Sequence, residues 1–211
     1  MKNGLAARLR AETSALHTAA ERSPFMAELL AGRLDRPAYA ALLSNLLLLY
    51  QVLESALMRH AGHPAIAPLG CAALARTSAL CEDLASLAGL ASIALPQAAA
   101  DRYVARLREL EATRPESLVA HAYVRYLGDL SGGQMLRRVV ARSPRLGASV
   151  GTAFYDFGDA STVAAHARRF RDGLDRAPIV DVDAVVAEAK LAFEWHRVLF
   201  DQLALATGVP A

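Results

Sequence analysis

The stretch RYLGDLSGGQML, residues 125–136, has the apolar spacing of a helix and yet contains three glycines. Gly128, Gly132 and Gly133 each cost a helix interior about 1 kcal/mol relative to alanine. On a helical wheel, Gly128 and Gly132 share one sector with four larger residues, and Gly133 lies at the edge of that sector. The four residues are His121, Arg125, Asp129 and Leu136. The missing β-carbons open a groove along this sector, and either a neighbouring helix or a flat ligand fits such a groove.

Two charged residues border this groove. Arg125 and Asp129 are four positions apart, with the cation N-terminal to the acid, which is the less favourable order for stabilising a helix. A surface ion pair also contributes little to stability. We therefore interpret the pair as the frame of a polar site that holds water or orients a hydrogen-bond donor.

Outside this stretch, apolar residues recur at intervals of three and four almost throughout, without sustained alternation of the strand type. The pattern predicts an all-α protein that forms one domain over residues 1–211, since no linker or internal repeat divides the chain. About eight helices are predicted, at residues 4–22, 26–31, 36–61, 71–89, 96–112, 115–141, 161–175 and 181–206. Thr113 and Glu116 have capping-box spacing and are expected to begin the helix at 115.

The composition excludes several classes of protein. With 54% hydrophobic and 21% charged residues, it is typical of a soluble helical protein rather than a disordered chain. The formal charge of +2 is the small difference between 23 basic and 21 acidic residues, so no nucleic-acid partner is expected. Cys71 and Cys81 lack metal or redox spacing and are predicted to be reduced, buried thiols.

One apolar segment approaches the length of a membrane span. Residues 39–57 are interrupted by Asn45, Gln51 and Glu54, as expected for a core helix with a thin polar edge. We therefore predict no membrane anchor. The first residues lack the unbroken apolar core of a secretory signal, which favours a cytoplasmic protein.

The first helix carries a polar stripe formed by Arg10, Thr13, His17 and Glu21. His17 is either an ordinary, partly buried histidine or an axial metal ligand whose second ring nitrogen is held by an acceptor. Glu21, one turn later, is the candidate acceptor. Arg10 lies two turns earlier on the same side, where it is placed to meet an anionic group.

Three further polar residues need partners or a ligand. His196 falls on an apolar stripe of the last helix, where an unpartnered imidazole costs about 1–3 kcal/mol, so it is either a satisfied core histidine or part of a polar network. Tyr50 lies on an apolar helix and needs a partner for its hydroxyl if it is buried. Arg168 belongs to a basic cluster that is either a solvated face or a clamp for carboxylates.

Taken together, these segments resemble the haem oxygenase family over nearly the whole chain. HAYVRYLGDLSGGQML (121–136) is similar to the family's distal helix, and ETSALHTAAERSPFM (12–26) is similar to its proximal-histidine segment. EAKLAFEWHRVLFDQL (188–203) resembles the closing helix, and the segments at 47–57, 102–110 and 151–157 fit the family's order. The resemblance implies a single compact multi-helix domain with haem sandwiched between a proximal helix and a kinked, glycine-rich distal helix.

The resemblance also implies a role for each candidate residue. His17 is expected to ligate the iron, and Asp129 to anchor a proton-delivering water chain with Tyr50 and Arg125 as its partners. Gly128 and Gly132 are expected to flank the bound gas. Further residues are expected to bind the cofactor: Arg10, Thr13, Glu21, Met26, Tyr123, Ser131, Gly133, Arg168, Phe193 and His196.

The implied activity uses haem b, iron protoporphyrin IX, as both cofactor and substrate. Dioxygen cleaves the ring at a meso carbon, which yields biliverdin, carbon monoxide and ferrous iron. The sequence has no GxGxxG fingerprint, so no intrinsic flavin or NAD(P) is expected, and an external ferredoxin or NAD(P)H-dependent reductase is the implied electron donor.

Two departures from the family pattern and one alternative function stay open. His196 stands where the animal enzymes carry asparagine, and Ser14 replaces a lysine, which leaves Arg10 and Arg168 as the candidate cations for the haem carboxylates. The alternative is a haem-binding or haem-storage protein without activity. Such a protein needs His17 but not Asp129 with its partners Tyr50 and Arg125. The presence of these three residues therefore favours the enzyme.

Overall fold

A computed structural model of the chain describes residues 4–87 and 97–209. These residues form nine α-helices and no strand, which confirms the predicted all-α class. The helices are α1 Leu5–Glu21, α2 Pro24–Leu30, α3 Arg36–Arg59, α4 Thr77–Ser86, α5 Ala98–Thr113, α6 Leu118–Ala122, α7 Gly128–Arg142, α8 Ala160–Arg176 and α9 Val182–Thr207. Short 3-10 turns lie at Ala67–Leu69, Cys71–Leu74, Pro115–Ser117 and Ala153–Tyr155. A single domain over residues 1–211 stays a prediction.

Side-chain caps explain where several helices begin. The Asp35 carboxylate accepts a hydrogen bond from the backbone N–H of Ala38 at 2.9 Å and so caps α3. Asp159 and Asp181 cap α8 and α9 in the same way, through bonds of 2.7 and 2.9 Å. At its other end, α9 stops at Gly208, which adopts a φ of +69° that glycine tolerates best.

The predicted helix at 71–89 is wrong in its first part. A 3-10 turn occupies Cys71–Leu74, and α4 begins only at Thr77. The carboxylate of Glu54, on α3, accepts hydrogen bonds from the Thr77 amide at 3.2 Å and from the Thr77 hydroxyl at 2.6 Å. This distant cap sets the start of the helix. Residues 88–89, like residue 96 of the next predicted helix, lie outside the described residues.

The predicted capping box at Thr113 is also wrong. Thr113 is the last residue of α5, and its hydroxyl donates to the Glu109 carbonyl oxygen at 2.7 Å. The hydroxyl therefore turns back into its own helix and does not cap the next one. The turn that follows, Pro115–Ser117, has no side-chain cap.

The predicted helix at 115–141 consists of several segments rather than one. After the 3-10 turn come α6, a π-helical turn at Tyr123–Leu127, and α7. We call residues 118–142 the glycine-rich helix. A π-helical turn is a known cause of a local bend. The interruption therefore lies just before Gly128, while all three glycines belong to the regular helix α7.

Helix α3 lies in the core, where it packs against α4, α5, α6 and α9. By length and composition it qualifies as a membrane span, but 56% of its most apolar window is buried inside the fold. One of its polar residues, Asn45, has hydrogen-bond partners inside the fold. Its side chain donates to the Ala41 carbonyl oxygen and accepts from the Gln97 amide, each at 2.8 Å. Of the two cysteines, Cys71 is half-buried and Cys81 is exposed, so the prediction of two buried thiols is wrong.

Candidate functional site

A cavity opens between α1, α2, α3, the glycine-rich helix and α9. Most of its walls are apolar, and they come from all of these helices and from the 3-10 turn at Ala153–Tyr155: Ala20, Met26, Leu29, Leu30, Leu42, Leu46, Val124, Met135, Leu136, Phe154, Tyr155, Phe193 and Phe200. The polar side chains in the lining are few, and they come from α1, the glycine-rich helix and α9: His17, Glu21, Arg125, Asp129 and His196.

The glycines of α7 differ in what faces them. A β-carbon built on Gly128 meets nothing within 4 Å, and one built on Gly132 meets only the Leu136 Cδ1 atom at 4.0 Å. A β-carbon on Gly133 lies 3.4 Å from the backbone carbonyl oxygen of Tyr155. Gly128 and Gly132 thus face the open cavity, whereas Gly133 lets the protein's own chain approach closely.

His17 lies on the cavity wall formed by α1. Its Nδ1 atom is 3.4 Å from a carboxylate oxygen of Glu21, and its ring contacts the edge of Phe193 at a centroid distance of 5.8 Å. In the described parts of the chain, Nε2 has no hydrogen-bond partner. A carboxylate on one ring nitrogen and a free second nitrogen form the usual arrangement of a metal-binding histidine.

A buried polar trio, Tyr50, Arg125 and Asp129, occupies the wall formed by α3 and the glycine-rich helix. Arg125 Nη2 donates to Asp129 Oδ1 at 2.9 Å, and the Tyr50 hydroxyl donates to Asp129 Oδ2. Arg125 Nε donates to the Tyr50 oxygen at 3.1 Å. Arg125 and Asp129 line the cavity, whereas Tyr50 is fully buried behind them and fixes their positions.

Burial and mutual contacts shift the pKa values of all three side chains. Burial raises the pKa of Asp129, although the Arg125 guanidinium and the Tyr50 hydroxyl act in the opposite direction. Burial also raises the pKa of Tyr50 far above its ordinary range, so the phenol stays a neutral donor. Burial opposes the charge on Arg125, but Asp129 and Tyr50 outweigh it and raise the pKa, so this residue stays cationic.

His196 joins this trio from α9. Its Nδ1 atom is 2.8 Å from the Ala192 carbonyl oxygen, and its Nε2 atom is 2.8 Å from Arg125 Nη1. Burial, and then the charge of Arg125, lower the pKa of His196 to about 3. It is therefore a buried histidine with both ring nitrogens satisfied, and it belongs to the polar network that lines the cavity.

Because His196 is buried in its uncharged form, the free energy of unfolding depends on pH. The folded pKa of about 3 lies below the unfolded value of about 6.5, so only the unfolded chain takes up this proton as the pH falls below about 6.5. Between pH 7 and pH 5, the free energy of unfolding is expected to drop by about 2 kcal/mol more in the wild type than in His196→Gln. Urea denaturation at the two pH values measures this difference, and equal drops in the two proteins would contradict it.

The remaining predicted site residues lie in the cavity wall, beside the cavity or away from it. Thr13 and Tyr123 are buried next to each other, with their hydroxyl oxygens 3.2 Å apart. Arg10, Ser131 and Arg168 are exposed and do not line the cavity. Glu21, Met26 and Phe193 lie in its wall.

From the basic cluster of His166, Arg168, Arg169 and Arg171, sequence reasoning selected Arg168 and not Arg171 as the candidate cation. Burial raises the pKa of Tyr123, and the Thr13 hydroxyl and the charges of Arg10 and Arg171 act against that shift. The basic cluster that contains Arg168 and Arg171 was the available signal. The pattern did not show which member faces Tyr123, because that depends on how α8 is rotated against its neighbours. The apolar walls on α3 and at residues 153–155 were also missed.

Comparisons with known proteins agree with one another. The sequence model of the family described as "Heme oxygenase" matches residues 3–202. The heme oxygenase of Porphyra purpurea is 37% identical over 207 residues, which cover 96% of this chain and 88% of that protein. The structure of heme oxygenase from Leptospira interrogans has a TM-score of 0.87 and 36% identity, and the match covers 94% of this chain and 98% of that one. Heme oxygenase-2 from Synechocystis sp. PCC 6803, solved in complex with heme and NO, has a TM-score of 0.90 and 35% identity over 97% of this chain and 87% of that one.

Proposed function

The chain belongs to the haem oxygenase family, and from this premise we propose how its own residues open haem to biliverdin. One observation carries the proposal. The free imidazole nitrogen of His17 and the uncovered main chain at Gly128 and Gly132 line the same cavity, and the Asp129 network borders it. Bound haem would find here an imidazole that can hold its iron, open space beside bare main chain and a source of protons.

The residues present fit haem. A macrocycle is flat and largely apolar, and the cavity combines apolar walls with a place where β-carbons are missing and nothing else fills the space. A ligand that needs only side-chain contacts would not require two bare glycines in a helix, each of which costs about 1 kcal/mol. We infer that the open space beside Gly128 and Gly132 belongs to one face of the haem.

Bound haem supplies the iron that activates dioxygen, and it is itself the substrate whose ring is opened. His17 Nε2 is the protein atom available to ligate that iron. Glu21, 3.4 Å from Nδ1, keeps the ring oriented and makes Nε2 a stronger donor. A neutral histidine in this position is typical of ferrous centres that bind dioxygen.

Asp129 is the proposed holder of protons at the opposite face. Its two carboxylate oxygens are fixed by Arg125 and Tyr50, so its orientation is set before the substrate binds. A buried carboxylate at the cavity wall orients water molecules, which pass protons toward the haem face next to Gly128. Asp129 thus acts through water and not as the direct acid.

The haem carboxylates are proposed to lie near the Thr13–Tyr123 pair. The charges of Arg10 and Arg171 act on the Tyr123 hydroxyl of this pair, and guanidinium groups bind carboxylates in a bidentate way. Arg168 and Arg171 lie on the same helix and both are exposed, but only the charge of Arg171 acts on the Tyr123 hydroxyl. We therefore assign the stronger role to Arg171.

Electrons are proposed to come from an external ferredoxin or NAD(P)H-dependent reductase, and dioxygen from solution. A cytoplasmic location remains part of the same proposal. The competing function is haem storage without turnover. Aerobic turnover of haem with an electron donor, followed by chromatographic identification of the pigment, separates the two: biliverdin supports the enzyme, and a Soret band that persists without biliverdin overturns it.

The glycines allow a further test. Gly132→Ala adds a methyl group to the open cavity, so it is expected to raise the free energy of unfolding of the haem-free protein by about 1 kcal/mol and to weaken haem binding. Gly133→Ala is the matched control, since its methyl group meets the Tyr155 backbone oxygen at 3.4 Å rather than the open cavity, so this variant is expected to bind haem as the wild type does. Urea denaturation and haem titration give both quantities. If Gly132→Ala binds haem as tightly as the wild type, that glycine does not face the substrate.

A further inference from the structure

His196 lies where two buried polar networks meet. On one side, its Nε2 atom contacts Arg125, which also binds Tyr50 and Asp129. On the other side, the edge of its ring contacts Tyr103, at a centroid distance of 5.2 Å and an angle of 89°. Only 2% of the residue is exposed, so its two ring nitrogens depend on these protein partners.

The partners admit one protonation state. The Ala192 carbonyl oxygen is only an acceptor, so the Nδ1 atom 2.8 Å away must carry a hydrogen. Arg125 Nη1 is only a donor, so the Nε2 atom 2.8 Å away must offer a lone pair. The opposite tautomer breaks both bonds, and an imidazolium sets two N–H groups and two positive charges against each other.

A second polar network fixes Tyr103, the residue whose ring packs against His196. The His121 Nδ1 atom is 3.0 Å from the Tyr103 hydroxyl, and its Nε2 atom is 3.2 Å from Glu188. Arg106 donates two hydrogen bonds to Glu188, at 3.1 and 2.7 Å. Burial opposes the ionisation of Glu188, but His121 and Arg106 outweigh it and hold its pKa at about 2. Tyr103 is therefore anchored, and its ring limits how far the His196 ring can turn.

We propose that His196 is a positioning residue, which as a neutral imidazole with hydrogen on Nδ1 fixes Arg125 and, through it, the carboxylate of Asp129. This inference rests on the role of Asp129 proposed above. His196 also lines the cavity, but the role proposed here acts through Arg125.

The geometry of Arg125 explains why this contact matters. Its three nitrogens each have one polar partner: Nε has Tyr50, Nη1 has His196 and Nη2 has Asp129. Loss of one partner leaves a buried N–H unsatisfied and lets the planar guanidinium rotate toward water in the cavity. Rotation moves Nη2 and releases one of the two carboxylate oxygens that Asp129 uses to orient water.

Nitrogen NMR of the haem-free wild type tests the tautomer without any turnover. The ring signals of the six histidines are compared with those of His196→Gln to identify residue 196. At pH 7 we expect a protonated Nδ1 and an unprotonated Nε2. A protonated Nε2, alone or together with Nδ1, would overturn the proposal.

Infrared spectroscopy of the carbon monoxide complex tests the positioning, because the C–O stretching frequency reports the charges beside the haem. His196→Ala is expected to shift this frequency and to lower the rate of biliverdin formation about tenfold, the effect of one lost hydrogen bond in a buried network. His196→Gln places an amide oxygen near the position of Nε2 and is expected to restore both. A purely packing role predicts lower stability in His196→Ala with an unchanged frequency, and that result refutes the positioning role.

These measurements also separate this inference from the proposed function. A wild type that binds haem but forms no biliverdin overturns the enzymatic function, whereas the tautomer and the C–O frequency still report whether His196 fixes Arg125.

Discussion

His17→Ala is expected to lose tight haem binding while keeping the fold. The His17 side chain is 45% exposed and contacts mainly Glu21 and Phe193, so little packing is lost, and alanine favours the helix. Even the partners of a metal-bound histidine contribute roughly 10- to 100-fold to affinity, so loss of the ligand itself should cost more than about 100-fold. Titration of the protein with haem, followed by the Soret band, measures this loss.

Two controls make the result specific. His63→Ala removes a histidine that lies in the loop after α3, outside the cavity, and is expected to bind haem as the wild type does. Free imidazole added to His17→Ala is expected to restore the ligated spectrum, because the space left by the side chain opens to the cavity. An unchanged haem spectrum in His17→Ala without imidazole would refute the assignment of the ligand.

Asp129→Ala is expected to bind haem but to form little biliverdin. Positioned acid–base groups contribute about 10²- to 10⁴-fold to a rate, and the substitution removes both carboxylate oxygens that would orient water. Haem is then expected to be consumed along other oxidative routes. The measurement is the yield of biliverdin per haem consumed, and a normal yield would count against the role of Asp129.

The same substitution also affects stability, so a second variant is needed. Without Asp129, the Arg125 charge stays buried and unpaired, which costs about 3–5 kcal/mol. Asp129→Asn keeps the shape and one oxygen that can accept from Arg125, so it separates the loss of charge from the loss of packing. If Asp129→Asn folds like the wild type and still loses biliverdin, the effect is chemical and not structural.

The periodicity of apolar residues predicted the class and the positions of the helices better than capping signals predicted where helices begin. The three- and four-residue spacing predicted the all-α class, and helices such as α1, α8 and α9 lie close to where it placed them. Helix ends were less predictable, because α4 begins at Thr77 through the carboxylate of Glu54, which is distant in sequence. The π-helical turn before Gly128 also has no signal in the spacing.

The candidate site shows the same division. The stripe of His17 and Glu21, and the pair of Arg125 and Asp129, were visible in the sequence because residues four apart share one face of a helix. The sequence also predicted that His196 needs a partner. That this partner is Arg125 depended on how α9 packs against the glycine-rich helix.

The sequence by itself determined the all-α class, the polar stripe of α1 and the groove along the glycine-rich helix. Only the tertiary structure decided that Gly128 and Gly132 face open space whereas Gly133 faces Tyr155, and that Arg171 and not Arg168 acts on Tyr123. The physical reason is that periodicity sets the angle of a residue about its own helix axis. It does not set what lies opposite, because that depends on packing between elements far apart in the chain.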